Sequence, residues 1–162
     1  MTPKKTLTEQ QALQRLTSLC SRAEYCIADM RRKMKAWELP DGAEERIVQF
    51  LLKEKYVDET RFAHAFVRDK FRYNHWGEVR IRHELQLRGI DANTIEDALT
   101  EMPQEEADET LDHLLRQKLK STKGKTDYDV FLKLLRYSVG KGYTADHAHR
   151  CLQKIIKTDL EE

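Results

Sequence analysis

The feature that most constrains this chain is a pattern that returns along it at a spacing near fifty residues, the signature of a tandem-repeat architecture. In VRIRHELQLRGIDANTIEDAL, residues 79–99, a helical stretch ends at Gly89-Ile90, Asp91 offers a cap, and a second helix carries Ile95 and Leu99 on one face. A shift of 53 residues restores the pattern: Gly142-Tyr143 falls on Gly89-Ile90, Thr144 replaces the cap, and Ala148 and Leu152 replace Ile95 and Leu99. The first third holds a looser copy. Met30 and Met34 fall on Ile81 and Leu85, and Leu39 falls on Ile90. After a small insertion at Pro40-Asp41-Gly42, Ile47 and Leu51 fall on Ile95 and Leu99.

Each copy follows a further amphipathic stretch: Leu13, Leu16 and Cys20, then Phe62, Phe66 and Lys70, then Leu111, Leu115 and Leu119. Steps of three and four place the apolar members on one helical face, and Phe71 continues the stripe that Lys70 breaks. The chain therefore reads as all-α, with three tandem three-helix modules over residues 1–57, 58–102 and 103–162. Helix-start chemistry agrees: Asp41 with Glu44 fits a capping box, and Asp58, Asp91 and Thr144 stand where N-caps belong. Gly77 introduces the middle helix of the second module, and Gly89 and Gly142 close helices where a left-handed residue is needed. Modules of this size bury too little surface to stand alone, so an elongated, curved array with a concave binding face is expected.

Charge is segregated beneath a formal net of +1. Residues 61–90 carry a net of +4, residues 91–112 carry nine acidic and no basic residues, and residues 113–157 carry a net of +8. Alternating blocks suit a partner that presents both signs, although solvated helix faces give the same pattern. No apolar run approaches the ~20 residues that span a bilayer, and no signal-like segment follows the N-terminus. Cys20, Cys26 and Cys151 lack metal-ligand spacing and read as reduced thiols. A cytoplasmic monomer without membrane contact or cofactor is the expectation.

No motif for catalysis stands out. Asp58 and Glu59 lack a convergent partner for general acid–base work and are better read at a helix start. Phe62, Phe66 and Phe71 are core residues before they are a stacking platform. His147 and His149, two apart, point in different directions on a helix. What recurs is the placement of cations on the second helix of each module: Arg31, Arg32, Lys33 and Lys35, then Arg80, Arg82 and Arg88, then Lys133, Arg136 and Lys141. Pairs at four-residue steps, such as Arg80 with Glu84, contribute only ~0.2–0.5 kcal/mol each and do not explain the recurrence. A binding surface does.

Two segments carry a family resemblance. LLKEKYVDETRFAHAFVRDKF, residues 51–71, and WGEVRIRHELQLRGI, residues 76–90, resemble the core of RecX proteins. FLKLLRYSVGKGYTADHAHRCL, residues 131–152, is similar to the family's C-terminal copy. Lys55 stands where the family commonly has Gly before the Tyr, and Glu38 where Gly usually closes the second helix of the first module. The resemblance implies a non-catalytic bacterial regulator that binds in the groove of the RecA–DNA filament, restrains its extension, strand exchange and coprotease activity, and so bears on DNA repair and the SOS response. Weak direct contact with DNA is compatible with it. The contact set it suggests is Arg61, Arg68, Arg72, Arg80, Arg82 and Arg88, joined by Arg31, Arg32, Lys133 and Arg136. The acidic stretch 91–112 would then face basic RecA surface. A helix-turn-helix DNA regulator acting without RecA is the alternative, disfavoured by a pI near 7.7 and by the acidic block. A metal-dependent hydrolase ranks last.

Overall fold

A computed structural model describes residues 3–161 of the chain, with side chains through Ile156. Among the described residues the secondary structure is almost wholly helical: α1 (Glu9–Cys20), α2 (Ile27–Lys35), α3 (Ala43–Lys53), α4 (Glu59–Asn74), α5 (Glu78–Leu87), α6 (Ala92–Leu99), α7 (Gln104–Leu119), α8 (Asp127–Gly140) and α9 (Ala145–Glu161). By packing, the chain forms two compact units: one runs up to Ala65 and includes Leu85–Ala98, the other comprises Phe66–Glu84 and the chain from Leu99 onward. Helices α4 and α5 each supply residues to both.

In the first unit α1 and α2 pack on α3 around Ala12, Leu16, Met30, Met34, Ile47, Val48 and Leu51, all buried. The α1 stripe is Ala12 and Leu16, with Leu13 and Cys20 half-buried at its edges. One short pairing lies outside the all-helical expectation. Strands β1 (Lys5–Thr6) and β2 (Trp37–Glu38) run parallel, Lys5 opposite Trp37 and Thr6 opposite Glu38. Two residues are too few to show alternation in a sequence. Here the chain is held extended by Leu7, which is buried in the core while its amide donates to the Glu38 carbonyl at 3.2 Å.

The expected capping box of Asp41 with Glu44 does not form. Gly42, at φ +76°, is the N-cap of α3, and the Ala43 amide bonds to the Pro40 carbonyl at 3.1 Å. The helix starts one residue later than a box on Asp41 needs, because a left-handed Gly42 turns the chain into it. A reciprocal box is found instead on α1, between Thr8 and Gln11.

In the second unit α7, α8 and α9 pack on one another around Leu111, Leu115, Leu134, Tyr143, Ala148, Leu152 and Ile155. The repeat register exposes a trade of volumes. Met34 and Leu85 correspond to Ser138, which is fully buried and donates its hydroxyl to the Leu134 carbonyl at 2.9 Å. The third module thus combines small Ser138 and Ala148 with the large Tyr143 ring, where the second has Leu85, Ile95 and Ile90. Core space tolerates such exchanges when total volume is kept.

Candidate interaction surface

The turns that orient the cationic helices are set by local backbone chemistry. Asp58 Oδ1 accepts from the Arg61 amide at 3.0 Å, Asp91 Oδ1 from the Asn93 amide at 3.0 Å, and Thr144 Oγ1 from the His147 amide at 3.1 Å. Gly89 (φ +71°) and Gly142 (φ +99°) are left-handed. At each, paired back-bonds close the helix: Ile90 to Leu85 and Gly89 to Gln86, then Tyr143 to Ser138 and Gly142 to Val139, all 3.0–3.2 Å. Gly77 works differently. Its amide donates to the Lys141 carbonyl at 2.9 Å, and the Val79 amide donates to the Gly142 carbonyl at 2.9 Å, so the turn into α5 docks on the turn into α9.

On α4, Arg61, Arg68 and Arg72 fall along one face by their spacings of seven and four. They are used differently. Arg61 folds back: its Nε donates to Glu24 Oε1 at 2.9 Å and its terminal nitrogen to the Lys55 and Tyr56 carbonyls at 3.1 and 3.5 Å. It braces the loop before α2 against the turn before α4. Arg68 and Arg72 are exposed one turn apart. Arg80 lies with its guanidinium 4.1 Å from the centre of the half-buried Trp76 ring, and the Lys70 ammonium is 5.0 Å from the same ring. Trp76 therefore holds two cations close together, each favoured by the negative face of the indole. Arg82 pairs with Glu78 at 3.6 Å one turn back, and Arg88 is half-buried.

In the first unit Arg31 reaches Glu44 and Glu45 at the start of α3, at 3.2 and 3.1 Å, and these bonds favour its charged form. Arg32 pairs with Asp29 at 3.6 Å and is largely exposed. The basic second helix and acidic third helix of this module are thus in part each other's partners. Lys133 donates to the Lys123 carbonyl, and with Arg136 it lines a groove of about 470 Å³ that also takes in Lys123 and Lys125. Those two loop lysines escape a search that aligns only helices, since they fall in the connection before α8. Their signal is the positive excess of residues 113–157, part of which lies outside any helical period.

Glu59, which sequence reasoning put at a helix start, is the first residue of α4 and is half-buried near the start of α2. Burial pushes its carboxyl up, Asp29 adds to that, and the nearby Ile27 amide opposes it. Histidines act as pins between helices: His64 meets Asp97 on α6 at 3.2 Å, and His147 meets Asp108 on α7. Among the described residues no group of three His, Cys, Asp or Glu side chains is placed to hold a metal ion. No helix among them is long and apolar enough to cross a membrane.

The comparisons with known proteins converge. A family model described as RecX, second three-helix domain, matches residues 58–99. The chain is 32% identical over 130 residues to a regulatory protein RecX of Vibrio parahaemolyticus, covering 79% of this chain and 81% of that one. It is 25% identical over 136 residues to the regulatory protein RecX of Clostridium beijerinckii, covering 83% of this chain and 63% of that one. It spans between 50 and 66% of the length of several further such relatives. Two solved structures share the fold. A crystal structure of a regulatory protein RecX superposes with a TM-score of 0.80 at 21% identity, covering 90% of this chain and 71% of that one. That of RecX from Lactobacillus salivarius gives 0.77 at 17%, covering 90% and 95%.

Proposed function

Because the chain belongs to the RecX family of regulatory proteins, we propose that it binds the RecA filament on DNA and limits its extension, and with it strand exchange and coprotease activity. In this reading it acts in the cytoplasm as a non-catalytic monomer whose three modules, residues 1–57, 58–102 and 103–162, lie across adjacent RecA protomers. It would thereby bear on DNA repair and the SOS response.

The observation that carries the reading is the state of the cations inside the stretch matched by the family model. Arg68 and Arg72 are exposed a turn apart, make no ion pair among the described residues, and so are not committed to holding the fold together. Arg80 is pre-positioned on Trp76, which reduces the side-chain entropy lost when it meets an anionic partner. Arg61 is instead engaged within its own unit, bracing the start of α4.

The test is RecA's DNA-dependent ATP hydrolysis on single-stranded DNA, with RecA from the same source and this protein added at substoichiometric levels. The wild-type chain lowers the rate progressively, and a variant with Arg68→Glu and Arg72→Glu, folded by circular dichroism, loses that effect. An undiminished rate with the wild-type chain would sink the proposal.

A further inference from the structure

A further cationic feature lies in the second unit, where residues 120–126, KSTKGKT, lead into α8. Three tethers hold this loop against the helix. A Cβ on Gly124 would sit 2.8 Å from the Asp129 Cβ and 3.1 Å from the Val130 nitrogen, so only glycine lets the loop lie this close. Lys133 Nζ binds the Lys123 carbonyl, and Thr126 Oγ1 accepts from the Asp129 amide at 3.1 Å. The result is a groove of about 470 Å³ with Lys123, Lys125, Lys133 and Arg136 around it, Leu132 in it, and Asp129 as its one carboxylate. On the first turn of α8, Tyr128 leaves its side chain exposed, at 67%.

Several cations elsewhere in the chain are occupied. Arg31, Arg46 and Arg61 each meet a carboxylate at 2.7–3.2 Å. Lys123, Lys125 and Arg136 are exposed and make no ion pair among the described residues. Four cations crowded against one carboxylate repel each other until an anion neutralises them. A chain of singly charged phosphates does so along the groove, and its bases have a π-face for an exposed tyrosine ring to stack on. An acidic peptide supplies the charge but leaves Tyr128 without that role.

We propose that this groove is a sequence-independent site for single-stranded nucleic acid, with phosphates on Lys123, Lys125, Lys133 and Arg136 and a base on Tyr128. The inference deepens the filament reading, on which it rests only for the setting in which the strand is met.

The experiment measures binding of a fluorescent twenty-nucleotide oligothymidylate to the full chain without RecA, across a series of KCl concentrations. A variant with Lys123→Glu, Lys125→Glu and Arg136→Glu binds on the order of tenfold more weakly. Its dependence of log K on log salt flattens by about 2, since each phosphate that is no longer neutralised removes roughly 0.7 from the slope. A charge-matched variant with Lys4→Glu, Arg22→Glu and Lys53→Glu keeps the wild-type slope. Tyr128→Ala weakens binding about fivefold or more while leaving the slope unchanged, as the absence of one stacked base requires. Thermal melts confirm that each variant is folded. Equal losses in the two triple variants overturn the proposal, as does displacement by polyglutamate as readily as by unlabelled oligonucleotide, which would mark an acidic protein as the partner. RecA inhibition without oligonucleotide binding sinks this inference alone. The converse sinks the filament reading alone.

Discussion

Gly77 and Gly142 meet backbone to backbone. Bonds of 2.9 Å from Gly77 to Lys141 and from Val79 to Gly142 bring the two turns so close that neither position has room for a side chain. A Cβ on Gly77 would lie 2.6 Å from the Tyr143 nitrogen, and one on Gly142 would lie 2.8 Å from the Arg80 nitrogen. Tyr143 closes the joint from the side, its hydroxyl donating to the His75 carbonyl at 3.0 Å. A graded series of alanine substitutions follows. Gly142→Ala combines a left-handed backbone, about 1–2 kcal/mol, with overpacking, about 1–3 kcal/mol. Gly77→Ala carries only the second cost. Gly89→Ala carries only the first, since nothing lies within 4 Å of its added Cβ. Gly140→Ala, helical and equally open, is neutral or slightly stabilising. Urea unfolding measures the order, and equal losses at Gly142 and Gly89 would show that the close approach contributes nothing.

The repeat made most of this fold legible. Apolar steps of three and four found Leu16, Met30, Ile47, Phe62, Ile81, Leu111 and Leu152, all of which are buried, because helix packing imposes its period directly on composition. What stayed hidden depends on contacts between distant segments. Nothing local marks Ser138 as a core residue, yet it is fully buried one helical turn after Leu134. Glu59 looks like any acidic residue in a first helical turn, and its burial near Ile27 and Asp29 arises only once the chain from residue 24 to 61 has folded back. The cation pattern told which helices are basic but not which cations are spoken for. Arg31 and Arg61 are engaged by carboxylates thirteen or more residues away in sequence, whereas Lys123 and Lys125 fall between helices, where periodicity has no signal.

Lys55 sits at φ +58°, closing α3 in the left-handed region, and its amide bonds to the Leu52 carbonyl at 3.2 Å. A Cβ in that conformation costs about 1–2 kcal/mol, which exceeds the extra backbone entropy that glycine loses on folding. Lys55→Gly is therefore expected to stabilise the chain by up to about 1 kcal/mol. Thermal unfolding checks it. A lower melting temperature would mean that the Lys55 side chain contributes more than its backbone strain costs.

Glu59 holds a charge where the fold gives it little solvent. Burial raises its pKa, and one of its oxygens is buried without a hydrogen-bond partner among the described residues. Glu59→Gln keeps an acceptor and removes the charge, so it should be neutral or stabilising at pH 7. Because the folded pKa is raised, the contribution of this group is fully present below its unfolded value and declines as pH rises through the folded one. The advantage of Gln over Glu in denaturant midpoints should accordingly grow from pH 4 to pH 7. An advantage that shrinks over that range contradicts the assignment.

Cys26 gives the chain an alkaline limit. Its thiol is fully buried at the start of α2, where burial pushes its pKa from 9.0 up to about 12, with a smaller push from Asp29 and Glu59 and an opposing hydrogen bond from the Asp29 amide. The folded state thus holds this proton more tightly than the unfolded chain does. Stability from that difference is complete below pH 9 and is lost progressively as pH rises toward 12. Subtracting the unfolding free energies of a Cys26→Ala variant from those of the wild type removes the shared titration of lysines and tyrosines. The difference should be flat up to about pH 9 and then fall. In the native protein at pH 8 the same burial leaves Cys26 slower to alkylate than the half-buried Cys20 and Cys151. If Cys26 reacts first, its surroundings must open faster than the packed core around it allows, and the alkaline slope should vanish with it.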